Sequence, residues 1–279
     1  MPNEKSRIAI VGEGTAEHVE LLDLVLGKEK INGRLILCNG KIVEHMDEKK
    51  ASELKKKLES LKSELSSVGI NHESRNNKIK ILMYLYGKLQ KEIKYSNPSI
   101  MLKEWNPMPD RLTGEFENVI NSYGALVDNY ALCAGISEGM ALACQYFGIE
   151  CKLLDSVNVG VKHRTNLATI NGKPIHFDLS AEIGMGEDGR YIEKGRKRLV
   201  PKEKNGITYK YFGRTKSEIT SNYCKFEDTD VPEGIKIPQD LTEMFEKRFV
   251  YAGNRNRINY RFENINVPKE FKESQIFFR

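Results

Sequence analysis

Residues 132–150, LCAGISEGMALACQYFGIE, place Ile136, Met140, Ala143 and Phe147 at helical spacing and then reach Gly148, a residue that suits a helix end. The spacing predicts a buried helix with Cys133 at its start. There the unpaired backbone N–H groups and the positive end of the helix dipole favour a thiolate and can hold an oxyanion, as a nucleophilic cysteine requires. Cys144, a turn before the helix end, and Cys151, entering the next strand, lack that setting and read as core residues.

Downstream, CKLLDSV (151–157) reads as a strand. HRTNLATI (163–170) and KPIHFDLS (173–180) are two further strand-like runs joined by Asn171-Gly172, a strong two-residue hairpin signal. With Ile170 opposite Lys173, the register runs back to set Thr165 opposite Asp178 and His163 opposite Ser180. His163 and Asp178 become diagonal neighbours about 7 Å apart on the polar face. Ile175, Phe177 and Leu179 point to the other, apolar face with Ala168 and Ile170. Taken alone, Cys133 reads as a core thiol and His163 as a surface residue. The helix start, the register and the carboxylate together favour a nucleophile, a base and an orienting acid.

The chain around this segment has 279 residues, room for one large domain or a medium one with extensions. Hydrophobic residues at 39% and charged residues at 30% exclude collagen-like and wholly disordered classes. With 44 basic and 39 acidic residues, the net charge of +5 gives no argument for nucleic acid. No apolar run is long enough to span a bilayer or serve as a signal peptide, so no membrane is expected. The cytoplasm is the default address, with export by a dedicated secretion system left open. The five cysteines are widely spaced, without a CxxC pair or histidines at zinc spacing. Neither a disulfide framework nor a metal site is expected, and no cofactor.

Towards the N-terminus, RIAIV (7–11) reads as a strand, followed by Gly12-Glu13-Gly14-Thr15 and a helical pattern with Val19, Leu22, Val25 and Leu26. Glu17 stands where the dinucleotide fingerprint needs its third glycine, and no GK[ST] follows, so a structural turn is favoured over a nucleotide site. RLILC and KIVEH flank Asn39-Gly40 as a hairpin. From 46 to 68, Ala51, Leu54, Leu58, Leu61, Leu65 and Val68 form a heptad seam. This is short for an autonomous coiled coil. A helix laid on the protein's own body is favoured over a dimer or partner helix. GINHESRNN (69–77) makes a polar break and a domain boundary. A second helix follows with Ile79, Leu82, Leu85, Leu89 and Ile93 on one face, then SNPSIMLKEWNPMPD (96–110), a proline-rich loop.

The stretches NSYGALVDNYALCAGISEGMALACQYFGIECKLL (121–154), HRTNLATINGKPIHFDLS (163–180) and YKYFGRTKSEIT (209–220) resemble the core of the bacterial transglutaminase-like superfamily. In that family a cysteine begins a helix, a histidine begins the second strand of the core sheet and an aspartate ends the third. LYGKLQKEIKYSNPS (85–99) is similar to the helix preceding that core, so the resemblance spans about 79 to 223. It implies Cys133 as nucleophile, His163 as general base and acid, and Asp178 as the orienting carboxylate. Two positions depart from the pattern. Ala131 stands where a glycine is common, and Arg164 replaces the usual aromatic after the histidine.

The expectation is therefore an α+β fold with a papain-like or transglutaminase-like core, a Cys133 helix packed on an antiparallel sheet. Residues 1–75 are expected as an appendage, 76–230 as the catalytic core and 231–279 as a C-terminal extension packed through Phe249, Tyr251, Phe262 and Phe271. The expected chemistry is acyl transfer at peptide or protein amides, hydrolytic as in a cysteine protease or glutamine deamidase. A protein-glutamine transglutaminase and a binding protein that keeps the fold without turnover are the alternatives. For a second oxyanion donor Trp105 is a candidate, with Asn121 and Tyr123 as competitors. KGRKR (194–198) is expected to be a solvated loop rather than an acidic-partner site.

Overall fold

The computed structural model describes residues 48–95, 118–158, 161–183, 207–222, 224–253 and 262–272, together with short strand segments at 9–10, 34–38, 41–46, 190–193 and 196–199. Trp105, the helical pattern at 19–26 and the proline-rich loop lie outside the described residues.

Strand β1 (Ala9–Ile10) runs parallel to β2 (Arg34–Cys38), which pairs antiparallel with β3 (Lys41–Met46), as the Asn39-Gly40 signal predicts. Helix α1 (Glu48–Ser67) follows, then α2 (Lys78–Glu92), β4 (Lys94–Tyr95), β5 (Tyr130–Ala131) and α3 (Cys133–Tyr146). The sheet strands are β6 (Glu150–Asn158), β7 (Val161–Ile170) and β8 (Lys173–Phe177), after which comes the short helix α4 (Leu179–Ile183). A separate hairpin of β9 (Arg190–Glu193) and β10 (Arg196–Leu199) places Arg196, Lys197 and Arg198 of the basic run on a strand, not in a loop. Next are β11 (Phe212–Arg214), α5 (Lys216–Asn222), β12 (Lys225–Phe226) and α6 (Gln239–Gly253).

The protein is thus α+β, with an antiparallel five-stranded sheet ordered β11-β8-β7-β6-β12. Its register is that of the Asn171-Gly172 turn: Ile170 pairs with Lys173 and Asn166 with Phe177. Both turn residues take left-handed backbone, φ 51° and 73°, as a tight hairpin twisted with its strands demands. One face of the sheet carries Cys151, Ala168, Ile170, Ile175 and Phe177 into the main core, where they meet Ile136, Met140 and Cys144 of α3. The other face is partly covered. Leu154 and Leu167 form a second cluster there with Ile219, Cys224, Phe226 and Val231, while Glu150 and Lys152 at its end are exposed.

Two expectations change. The seam of α1 does not belong to an appendage: Leu54, Leu58, Leu61 and Leu65 are fully buried in the same core as α2 and α3. The core therefore continues across residue 75, and the seam faces the chain's own body. Helix α2 buries far more than one stripe, with Ile81, Met83, Tyr84 and Tyr86 enclosed as well, because α1, α3 and α6 surround it. The C-terminal aromatics Phe245, Phe249, Phe262 and Phe271 are likewise buried in that core. Among the described residues, no helix is long and apolar enough to cross a membrane.

Candidate active site

Helix α3 begins at Cys133 because Leu132 before it is extended, φ −86° and ψ 177°, and its N–H is already bound to the Val119 carbonyl at 2.7 Å. The first turn is gripped from outside. A Cβ at Gly135 would lie 2.7 Å from the carbonyl oxygens of both Val119 and Asn121, so only glycine lets that backbone close over the helix start. Ser137 stitches the next turn to β7: its hydroxyl donates to the Arg164 carbonyl at 2.9 Å, and its carbonyl accepts from Asn166 Nδ2 at 2.9 Å. These bonds fix the height of Cys133 against His163.

His163 and Asp178 meet as the register requires, Nε2 to Oδ2 at 2.6 Å. The carboxylate does not get there as a strand residue facing its partner. The strand ends at Phe177, and Asp178 caps α4, its Oδ1 accepting the Ser180 hydroxyl at 2.7 Å and the Ala181 N–H at 2.8 Å. Ser180 therefore lies behind the carboxylate rather than opposite His163. The Asp178 N–H in turn donates to the Tyr211 carbonyl at 2.9 Å. Glu182, one turn on, accepts from the Tyr211 N–H at 2.8 Å and the Tyr86 hydroxyl at 2.7 Å, pinning the wall behind the aspartate.

With Nε2 taken by Asp178, Nδ1 of His163 is left for Cys133, whose thiol lies within hydrogen-bonding reach. Burial works to raise the Cys133 thiol, but the bond from His163, its charge and the Arg164 backbone N–H outweigh it, so the pKa falls below the usual value. Burial would lower the His163 pKa, yet the Asp178 charge and hydrogen bond hold it well above normal. Burial likewise opposes the Asp178 anion, and the imidazolium, Ser180 and Ala181 together keep its pKa low. The three shifts agree on one state, a thiolate–imidazolium pair backed by a carboxylate. Cys144 and Cys151 are fully buried, and burial holds the Cys144 thiol well above its ordinary value.

Arg164, where the resembled family has an aromatic, is itself nearly buried. Its guanidinium meets Asp155 at 2.7 Å and Glu138 of α3 at 3.4 Å. Glu138 is deep enough that burial, against the pull of Arg164, pushes its pKa up to about 8. Sequence reading left both acids without a role.

Of the oxyanion competitors, Asn121 turns its Oδ1 to the N–H groups of Tyr123 and Gly124, and Tyr123 donates its hydroxyl to Glu53 of α1. The residue that does reach Cys133 is Tyr95. Strand β4 lies parallel to β5 with Tyr95 paired to Ala131, two residues before the cysteine. Its hydroxyl is within hydrogen-bonding reach of both the thiol and the backbone N–H of Cys133. No local pattern announces that bridge, which joins segments 36 residues apart. Among the described residues, no three His, Cys, Asp or Glu side chains are grouped as a metal site.

No known family model and no curated protein matches the chain. A solved structure described as "Crystal structure of a TGase" is similar over 56% of this chain and 35% of its own, at 15% identity and a TM-score of 0.35. The chain thus spans about a third of that structure's length, and a likeness so slight decides neither fold nor function.

Proposed function

We propose that the protein is a thiol-dependent acyl-transfer enzyme acting on peptide or protein amides, built on a papain-like or transglutaminase-like core with Cys133, His163 and Asp178 as its triad. The observation that carries this reading is His163 standing between Asp178, at 2.6 Å, and a helix-start cysteine. Cys133 thiolate attacks the amide carbonyl carbon, and the C=O π pair moves to oxygen. When the tetrahedral intermediate collapses, the leaving amine takes its proton from His163 Nδ1 and a thioester remains. Water deprotonated by the same imidazole then hydrolyses the thioester. Hydrolysis, as in a cysteine protease or glutamine deamidase, is favoured over transfer to an amine because a transferase must in addition keep water out.

The test is alkylation of the native protein with iodoacetamide at neutral pH, read by intact mass and mapped by digestion. One fast adduct is expected, on Cys133, and Cys133→Ala should lose it. A fast adduct on Cys144 or Cys151 instead would remove the nucleophile. Release of ammonia or of new amino termini from casein, without incorporation of an added amine, then distinguishes hydrolysis from transfer.

A further inference from the structure

We infer that Tyr95 is a fourth catalytic residue, the side-chain donor of the oxyanion hole, sharing the developing charge with the backbone N–H of Cys133. This rests on the acyl-transfer reading. The parallel β4–β5 bridge brings Tyr95 beside Ala131, and its hydroxyl reaches the Cys133 N–H and thiol together. A hydroxyl held beside both the attacking sulfur and the first oxyanion donor is placed to meet the carbonyl oxygen as it becomes an anion. The ring is packed against the main core, so it has little freedom to swing away. Burial and the charge of Cys133 both push the phenol pKa upward, so the hydroxyl keeps its proton and remains a donor. The Asn121 Oδ1 faces the backbone N–H groups of Tyr123 and Gly124, and the Tyr123 hydroxyl donates to Glu53.

In the resting enzyme the hydroxyl is placed to accept from the Cys133 N–H and to donate to the sulfur. As the sulfur bonds to the carbonyl carbon, its acceptor capacity falls. The carbonyl oxygen becomes an anion and takes both hydrogen bonds, the N–H and the phenol O–H, with no proton transferred. Collapse of the intermediate restores C=O and expels the leaving group, which leaves with the proton from His163.

Two reagents separate this role from a merely structural one. p-Nitrophenyl acetate acylates a thiolate through a tetrahedral oxyanion, whereas iodoacetamide alkylates it by direct displacement with no oxyanion. For Tyr95→Phe, the acetylation burst at Cys133 should slow at least tenfold while alkylation changes less than threefold. Equal slowing of both would make Tyr95 a support of the thiolate and overturn the proposal. An unchanged burst would also overturn it, and a faster one would mark the hydroxyl as an obstruction. A failure of the triad itself is read separately, as wild-type alkylation that does not fall on Cys133. Far-ultraviolet circular dichroism of the variant checks its fold, and Tyr95→His, which restores a donor, should recover part of the burst; no recovery in a folded variant would count against donation.

Discussion

Asp178 serves two partners with one carboxylate. Oδ1 caps α4 through Ser180 and Ala181, and Oδ2 holds His163. An asparagine has one acceptor oxygen and cannot fill both places. If its oxygen keeps the cap, its NH2 faces Nε2, and the ring proton moves to Nδ1, the nitrogen that must receive the thiol proton. If it turns the other way, the cap is lost at a cost of about 1 kcal/mol. Either way the imidazolium loses its counter-charge, so the thiolate becomes scarcer. Asp178→Asn should therefore lower Cys133 alkylation at neutral pH by about tenfold or more, with a thermal midpoint within a few degrees of wild type. The exposed Glu150→Gln is the control, and equal losses in both would leave at most a Cys-His dyad.

Helix α1 shows how an element's charge can disguise its place. Its lysines and glutamates suggest a solvated appendage, but Leu54, Leu58, Leu61 and Leu65 are fully buried, and Glu53, Glu59 and Glu64 accept from Tyr123, Tyr146 and Tyr84. Lys50 also donates to Asn118 at 3.1 Å, so α1 holds the 118–124 backbone that closes over Gly135 and the start of α3. Leu58→Ala should cost about 2–5 kcal/mol, as a large-to-small change in a core does, seen as an early denaturant midpoint. Removing residues 1–67 should abolish cooperative unfolding and the fast, selective labelling of Cys133 together; a truncated chain that still labels Cys133 ahead of the other cysteines would return α1 to the status of an appendage. The sheet was more legible than this helix. The Asn171-Gly172 turn and the period of two bring His163 and Asp178 together without long-range information. What the pattern misses is competition at an element's end: Asp178 followed by Leu179-Ser180 extends a strand by alternation, yet its side chain gains more as a helix cap. It also misses Tyr95, because a two-residue parallel bridge leaves no periodicity to read. Arg164 was visible only as a departure, since the acids that take it, Asp155 and Glu138, lie on two other elements.

At the scale of the whole molecule, Glu138 ties stability to pH. It is enclosed in α3, with its pKa raised from 4.5 to about 8 chiefly by burial, the Arg164 charge opposing and the Asp155 charge adding to the rise. An unfolded chain releases this proton near 4.5, whereas the folded protein keeps it to about 8, so between those limits the native state binds more protons than the unfolded state. Raising the pH through that window then favours unfolding, by up to about 1.4 kcal/mol per pH unit from this group. Other groups act in the same range. The raised His163 stabilises the fold fully below about 6.5 and less as pH climbs through its folded value, while the depressed Asp178 stabilises it down to its own low value. A difference measurement cancels them. Glu138→Gln keeps the shape and an acceptor for Arg164 but has no proton to lose, and Arg164 retains Asp155 at 2.7 Å. Relative to wild type, the variant should gain stability steadily from pH 5 to pH 8 and show a constant difference below pH 4.5, measured by urea unfolding at each pH. A difference that stays flat from pH 5 to pH 8 would mean that Glu138 is ionised in the folded protein at pH 5 and that Arg164 neutralises it despite the burial.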